Sequence, residues 1–178
     1  MSANESRCYS FPPIAKPSAE ILILGSMPGL ESLRQQQYYA HPRNAFWSIM
    51  QSLFAIEKSR PYQQRCELLT QQRVAVWDVL KACDRSGSLD SNIAPDSIEA
   101  NDFNAFFQAH PNIQAVFFNG AKAEQIYMKY VQASLEKPWQ NITTSRLPST
   151  SPANAALSLE KKQIIWREQL SSIKQLIQ

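Results

Sequence analysis

The run Ile21-Leu22-Ile23-Leu24-Gly25-Ser26-Met27-Pro28-Gly29 reads as a strand that ends in a tight loop. Its consecutive aliphatic residues suit a strand covered on both faces, and its glycines let the backbone turn sharply or approach a ligand. Residues 74–79, 115–118 and 142–147 are further short apolar runs, the last more polar than the others. These strand candidates lie too far apart for hairpins, and helical patterns fill the gaps between them. Phe46, Ile49, Met50, Leu53 and Phe54 share one helical face, as do Ala123, Ile126, Tyr127, Tyr130 and Val131. A closing amphipathic segment, residues 158–177, carries Ile165, Trp166, Leu170, Ile173 and Ile177. Strand and helix alternate, which predicts an α/β fold with three layers, α/β/α, and a central four-stranded, mainly parallel sheet.

Glycine is scarce, with four in 178 residues, so its positions are informative. Gly25 and Gly29 follow the first strand candidate, Gly87 lies in the polar segment after the second, and Gly120 follows the third. The fourth is followed by the stiff polar run Pro148-Ser149-Thr150-Ser151-Pro152. Ligands of open α/β sheets bind at the C-terminal edge of the strands, so these segments are expected to converge on one cleft. Taken singly, each is equally well a connecting turn.

The length suits one domain, expected over residues 20–178 after an extended, proline-bearing lead-in at 1–19. A net charge of +3 permits a polyanionic partner without requiring one. No stretch has the length and apolarity of a membrane span or a signal peptide, from which a cytoplasmic protein is expected. Cys8, Cys66 and Cys83 are scattered and read as reduced thiols in or near the core. Neither they nor His41 and His110 have metal-site spacing, so no metal and no organic cofactor are expected. The loop at 25–29 is neither GxGxxG nor a P-loop, and no GxSxG elbow occurs, which disfavours dinucleotide, ATP and serine-hydrolase chemistry.

Gly25-Ser26-Met27-Pro28-Gly29, followed by Tyr38-Tyr39-Ala40-His41-Pro42-Arg43-Asn44-Ala45-Phe46-Trp47, resembles the first motif region of the uracil-DNA glycosylase superfamily. Trp77-Asp78-Val79-Leu80, Gly87-Ser88-Leu89-Asp90, Phe118-Asn119-Gly120-Ala121-Lys122 and residues 147–154 narrow the resemblance to the hypoxanthine-DNA glycosylases (family 6). The mismatch-specific uracil-DNA glycosylases are next, sharing a similar AHPxNxFW run. The resemblance covers roughly residues 20–170. It implies a monofunctional enzyme that flips hypoxanthine, or else uracil or xanthine, out of DNA and hydrolyses its glycosidic bond in base excision repair. The partner it implies is DNA containing a deaminated base, with no obligate protein partner. A mismatch-specific uracil or thymine glycosylase, a damaged-DNA-binding module without catalysis, and a nucleoside hydrolase are the alternatives.

One departure bears on mechanism. Most of the superfamily has Asp or Asn third in the first motif, holding the attacking water; here it is Met27, whose thioether does neither acid-base chemistry nor strong water orientation. The resemblance transfers that role to Asn44, whose amide oxygen can fix a water without deprotonating it. Read without the family, Asn44 suits the N-cap of the helix that follows. Tyr39 is implied to stack under the flipped base, although its residue type equally suits a rim or core aromatic. Asn119 is implied to pair with the base edge, and Asn-Gly is also a common turn. Gly25 and the backbone amides of Ser26 and Met27 complete the implied base pocket. Pro148, Ser149, Thr150, Ser151 and Asn154 fall in the loop that pinches DNA phosphates, or else in a plain helix lead-in capped by Ser158. Arg43, Lys122 and Arg146 are candidate phosphate contacts or ordinary surface charges. Asp78, Arg85 and Asp90 are expected to form a buried ion-pair and hydrogen-bond set under the cleft. Lys81 is not read as a Schiff-base nucleophile, so no strong lyase activity is expected.

Overall fold

The structure, a computed structural model, describes residues 6–176, with side chains to residue 173. The first residues of the lead-in and Ile177 lie outside the described residues. In chain order the strands are β1 (Arg7–Tyr9), β2 (Ile21–Gly25), β3 (Val74–Asp78), β4 (Leu80–Asp84), β5 (Glu99–Ala100), β6 (Ala115–Asn119) and β7 (Thr143–Leu147). The helices are α1 (Leu30–Gln35), α2 (Phe46–Phe54), α3 (Tyr62–Gln71), α4 (Phe103–Ala109), α5 (Ala121–Tyr130) and α6 (Leu159–Leu176). Among the described residues no helix is long and apolar enough to cross a membrane.

The expected parallel sheet is present, in the order β3-β2-β6-β7 with every pairing parallel, and helices flank it. Every residue of β2 and β3 is buried, which is why these strands read as uninterrupted apolar runs. β7 lies at the sheet edge and exposes Thr143 and Arg146, which explains its polarity. From β2 the chain passes to β3 on one side and later to β6 and β7 on the other. The connections therefore diverge between the C-terminal ends of β2 and β6, at Gly25 and Asn119, and an open α/β sheet presents its crevice at such a point.

The core on either side of the sheet is strongly aromatic. Phe46 of α2 meets Trp47 and Trp166 edge-on, Tyr127 of α5 packs on Phe118, and Trp77 stacks on Phe106 of α4. Trp166 is wholly buried, and its indole N–H donates to the Pro148 carbonyl, so the packing of α6 also holds the start of the loop after β7.

A second, antiparallel sheet of order β1-β4-β5 was not anticipated from the sequence. The run at 74–79 is not one strand: β3 ends at Asp78, Val79 and Leu80 donate to the carbonyls of Gly25 and Ser26, and the chain continues as β4 in the other sheet. The lead-in is strapped to the body. β1 pairs with β4, Ile14 exchanges backbone bonds with Val76, and the Tyr38 hydroxyl and Trp77 indole donate to carbonyls of Phe11 and Pro12.

Candidate active site

The loops after β2, β4, β6 and β7 meet around a cleft of about 590 Å³ over the strand ends. Gly25, Ser26, Met27, Tyr39, Asn44, Asn119, Ser149, Thr150, Ser151 and Asn154 all line it, as do Asp78, Leu89 and Asp90. Of the candidate site residues, Arg43, Lys122 and Pro148 are not part of the lining.

The loop after β2 is fixed from below. The buried Arg85 guanidinium donates to the carbonyls of Met27, Pro28 and Gly87, and the Ser26 hydroxyl donates to Asp90 at 2.8 Å. These bonds hold the loop against Arg85, and its residues line the cleft. The expected ion-pair set of Asp78, Arg85 and Asp90 is corrected here: among the described residues Arg85 bridges to neither carboxylate. Its several donors let one guanidinium hold three carbonyls of the two loops at once.

Tyr39 sits in the left-handed backbone region at φ 56°, which side chains other than glycine seldom adopt. One ring face stacks on Phe46, with centroids 4.1 Å apart. Asn44 does in part what its residue type suggests at a helix start. Its carboxamide oxygen accepts from the Phe46 amide at 3.0 Å, although the cap position itself is Ala45. That bond fixes the side chain and occupies one of the oxygen's two lone pairs. Asn44 is held further by its own N–H on the His41 carbonyl, and the next amide, Ala45, donates to Thr150.

Asn119 is engaged on both sides of its amide. Its oxygen accepts from the Thr150 N–H and its nitrogen donates to the Thr150 hydroxyl, both at 2.9 Å. This latch joins the end of β6 to the loop after β7; the second amide hydrogen of Asn119 faces the Tyr39 hydroxyl, and one oxygen lone pair is left uncommitted. Between them Gly120 turns at φ 97°, and a Cβ there would lie 2.9 Å from that of Ser149. The loop is stiffened internally: the hydroxyls of Ser149 and Ser151 accept from amides two residues ahead, and the Asn154 amide donates to Ser149 O. Both serines keep their hydroxyl hydrogens to give to an anion.

The remaining candidates are peripheral. Arg43 is exposed and Lys122 half-exposed in the first turn of α5. Arg146 is paired with Glu124, and Lys81 is exposed away from the cleft. Two features were not visible from sequence. Leu30 and Leu89 stand exposed on the rim. Asp78, read as a structural ion-pair partner, instead puts a carboxyl group into the cleft. That carboxyl is 3% exposed as a residue, has one oxygen without a hydrogen-bond partner, and is pushed up to about 8 by burial, with Asp90 adding to the rise.

Comparison with known proteins gives a consistent result. Residues 12–169 match the family described as the uracil DNA glycosylase superfamily. The chain is 38% identical over 159 residues to a protein of Methanosarcina barkeri named hypoxanthine DNA glycosylase, covering 89% of this chain and 94% of the relative. A protein of the same name from Methanosarcina acetivorans is 35% identical, covering 85% and 91%. A solution NMR structure of a Methanosarcina acetivorans protein, provisionally named a uracil DNA glycosylase, superposes with a TM-score of 0.72 at 34% identity. That match covers 91% of this chain and 98% of the other.

Proposed function

The chain belongs to the uracil DNA glycosylase superfamily, and from that premise we propose that its cleft receives hypoxanthine flipped out of DNA while Asn44 aims a water at the sugar. It is a DNA glycosylase acting on deaminated bases, hydrolysing their N-glycosyl bond. Hypoxanthine is the base in the name of both relatives, and uracil or xanthine would be secondary substrates of the same pocket. The observation that carries the residue assignment is the meeting of Tyr39, Asn44 and Asn119 in one cleft, with Met27 in the loop below them.

The chemistry follows from what these groups can and cannot do. Met27 takes no proton, and neither does the Asn44 amide, so the attacking water is neutral when it arrives. Such a water suffices if the bond from C1′ to the base breaks first and leaves an oxocarbenium-like sugar. Asn44 then contributes direction: the oxygen lone pair not used by Phe46 accepts from the water and fixes its approach. The free face of Tyr39 stacks under the base. The uncommitted lone pair of Asn119 and the backbone amides of Ser26 and Met27 meet its edge. As charge passes to the departing base these donors bind it more strongly, which lowers the barrier. Pro148, Ser149, Thr150, Ser151 and Asn154 form the DNA-pinching loop along one side of the cleft, and Arg43 and Lys122 contact phosphates. Residues 20–178 are assigned as the catalytic unit, and the described part of the lead-in 1–19 is strapped to it through β1 and Ile14. No cofactor takes part in this scheme.

Single-turnover release of base from duplex DNA containing deoxyinosine or deoxyuridine tests the reading. Asn44→Ala, verified as folded, is expected to lose about a hundredfold or more in rate, the scale of other positioned catalytic groups. An Asn44→Ala variant as fast as wild type would remove Asn44 from the mechanism. A wild type that releases neither base would overturn the substrate assignment.

A further inference from the structure

The buried side-chain oxygen Asp78 Oδ2 lacks a hydrogen-bond partner among the described residues, and its residue lines the cleft beside Tyr39, whose hydroxyl faces the Asn119 amide. The other carboxyl oxygen of Asp78 and the Tyr39 hydroxyl both close on Gly25. A methyl group built on Gly25 would stand 2.5 Å from Asp78 Oδ1 and 3.2 Å from Tyr39 Oη. A polar atom buried without a partner costs stability, so one at the floor of a binding cleft points to a partner that arrives with the ligand. Asp78 is held in place by its own strand: its backbone pairs in register with Gly25, and its carbonyl accepts from Asn101 at 2.8 Å. The side chain thus has a fixed root and a free end.

We propose that the Asp78 carboxyl group is a further reader of the flipped base, donating a hydrogen bond from the cleft floor to the keto oxygen on the base edge. The inference rests on the base-excision reading above and adds to it a residue that selects deaminated bases. Deamination replaces an amino group, which donates, with a keto oxygen, which accepts; a fixed donor distinguishes the two. A carboxyl group can donate only while it is protonated. Burial keeps it so near neutral pH; of the charged groups facing it, Asp90 reinforces the effect and Arg85 opposes it. Tyr38 and Tyr39, which also face it, are kept neutral by their own burial. Asn119 and the amides of Ser26 and Met27 come to the cleft from other strand ends, so Asp78 adds a contact they do not duplicate.

The test is single-turnover release from deoxyinosine-containing duplex across pH for wild type, Asp78→Asn and Asp78→Ala, with thermal melts to establish folding. Wild type is expected to slow by about tenfold from pH 7 to about pH 9 as the donor is titrated away. Asp78→Asn keeps a donor that does not titrate, so its rate should hold over that range. Folded Asp78→Ala should be slow by about tenfold or more at every pH. If Asp78→Ala releases base at the wild-type rate with the wild-type pH profile, the proposal is overturned. If Asp78→Ala does not fold, Asp78→Asn decides alone, and an alkaline decline equal to that of wild type overturns it. A wild type that releases no base refutes the base-excision reading instead, so the two failures are distinct.

Discussion

At the residue scale, Asp78 trades stability for its position. Its pKa in the folded protein, about 8, lies above the ordinary value of 3.8, chiefly because burial disfavours the carboxylate. A raised acid contributes stability that is fully present below pH 4 or so and is lost as pH rises through about 8, because the unfolded chain ionises first. Asp78→Asn removes that loss. Its melting temperature relative to wild type should therefore climb between about pH 4 and pH 8 and then level off. Melting curves at matched ionic strength check this, and a difference constant across pH would mean that the carboxyl titrates normally. Asn44 illustrates a different limit of residue-scale reading. Capping and water-holding were opposed readings of its sequence, yet one carboxamide oxygen has room for both, since the Phe46 amide takes only one of its lone pairs.

At the element scale, the joint between β6 and α5 is the most constrained in the site. Gly120 has a backbone conformation that a side chain resists, and Ser149 occupies the space where a Cβ would go. Gly120→Ala is expected to destabilise by about 1–3 kcal/mol, from backbone strain and the displaced loop. It should slow base release as well, because moving Ser149 disturbs the Asn119–Thr150 latch. Denaturant midpoints and single-turnover rates on the same preparation read both effects. The elements legible from sequence were those whose burial writes a clean pattern. β2, β3 and β6 are buried almost throughout, and α2, α5 and α6 each bury one apolar face in the core. The second sheet was hidden because β1 and β5 are only three and two residues long, and β4 follows β3 with a single residue between them. α3 escaped because only Leu69 and Thr70 of its residues are buried and little apolar periodicity remains.

At the scale of the whole molecule, the net charge of +3 is too small to hold DNA by its general field, so phosphate binding depends on where individual cations stand. Arg43 and Lys122 flank the cleft without lining it. Arg43→Ala and Lys122→Ala should each flatten the dependence of log kcat/KM on log salt by about one unit, since each phosphate contact releases about one counterion. Unchanged slopes would reduce both to ordinary surface charges. The position of the site was readable in advance because strand ends, glycines and a proline-bound loop fall together in this topology. The floor was not, since only three-dimensional packing shows that Arg85 is occupied by carbonyls and Asp78 is left facing the cleft. That packing has a consequence for inheritance. With Asp78 Oδ1 standing where a methyl on Gly25 would go, Gly25 cannot change while the acid is in place, whereas position 78 can shrink first. In a library selected for folding, alanine at 25 should survive mainly in clones that carry a smaller residue at 78. Descendants of this sequence should then lose the glycine only after the acid or together with it.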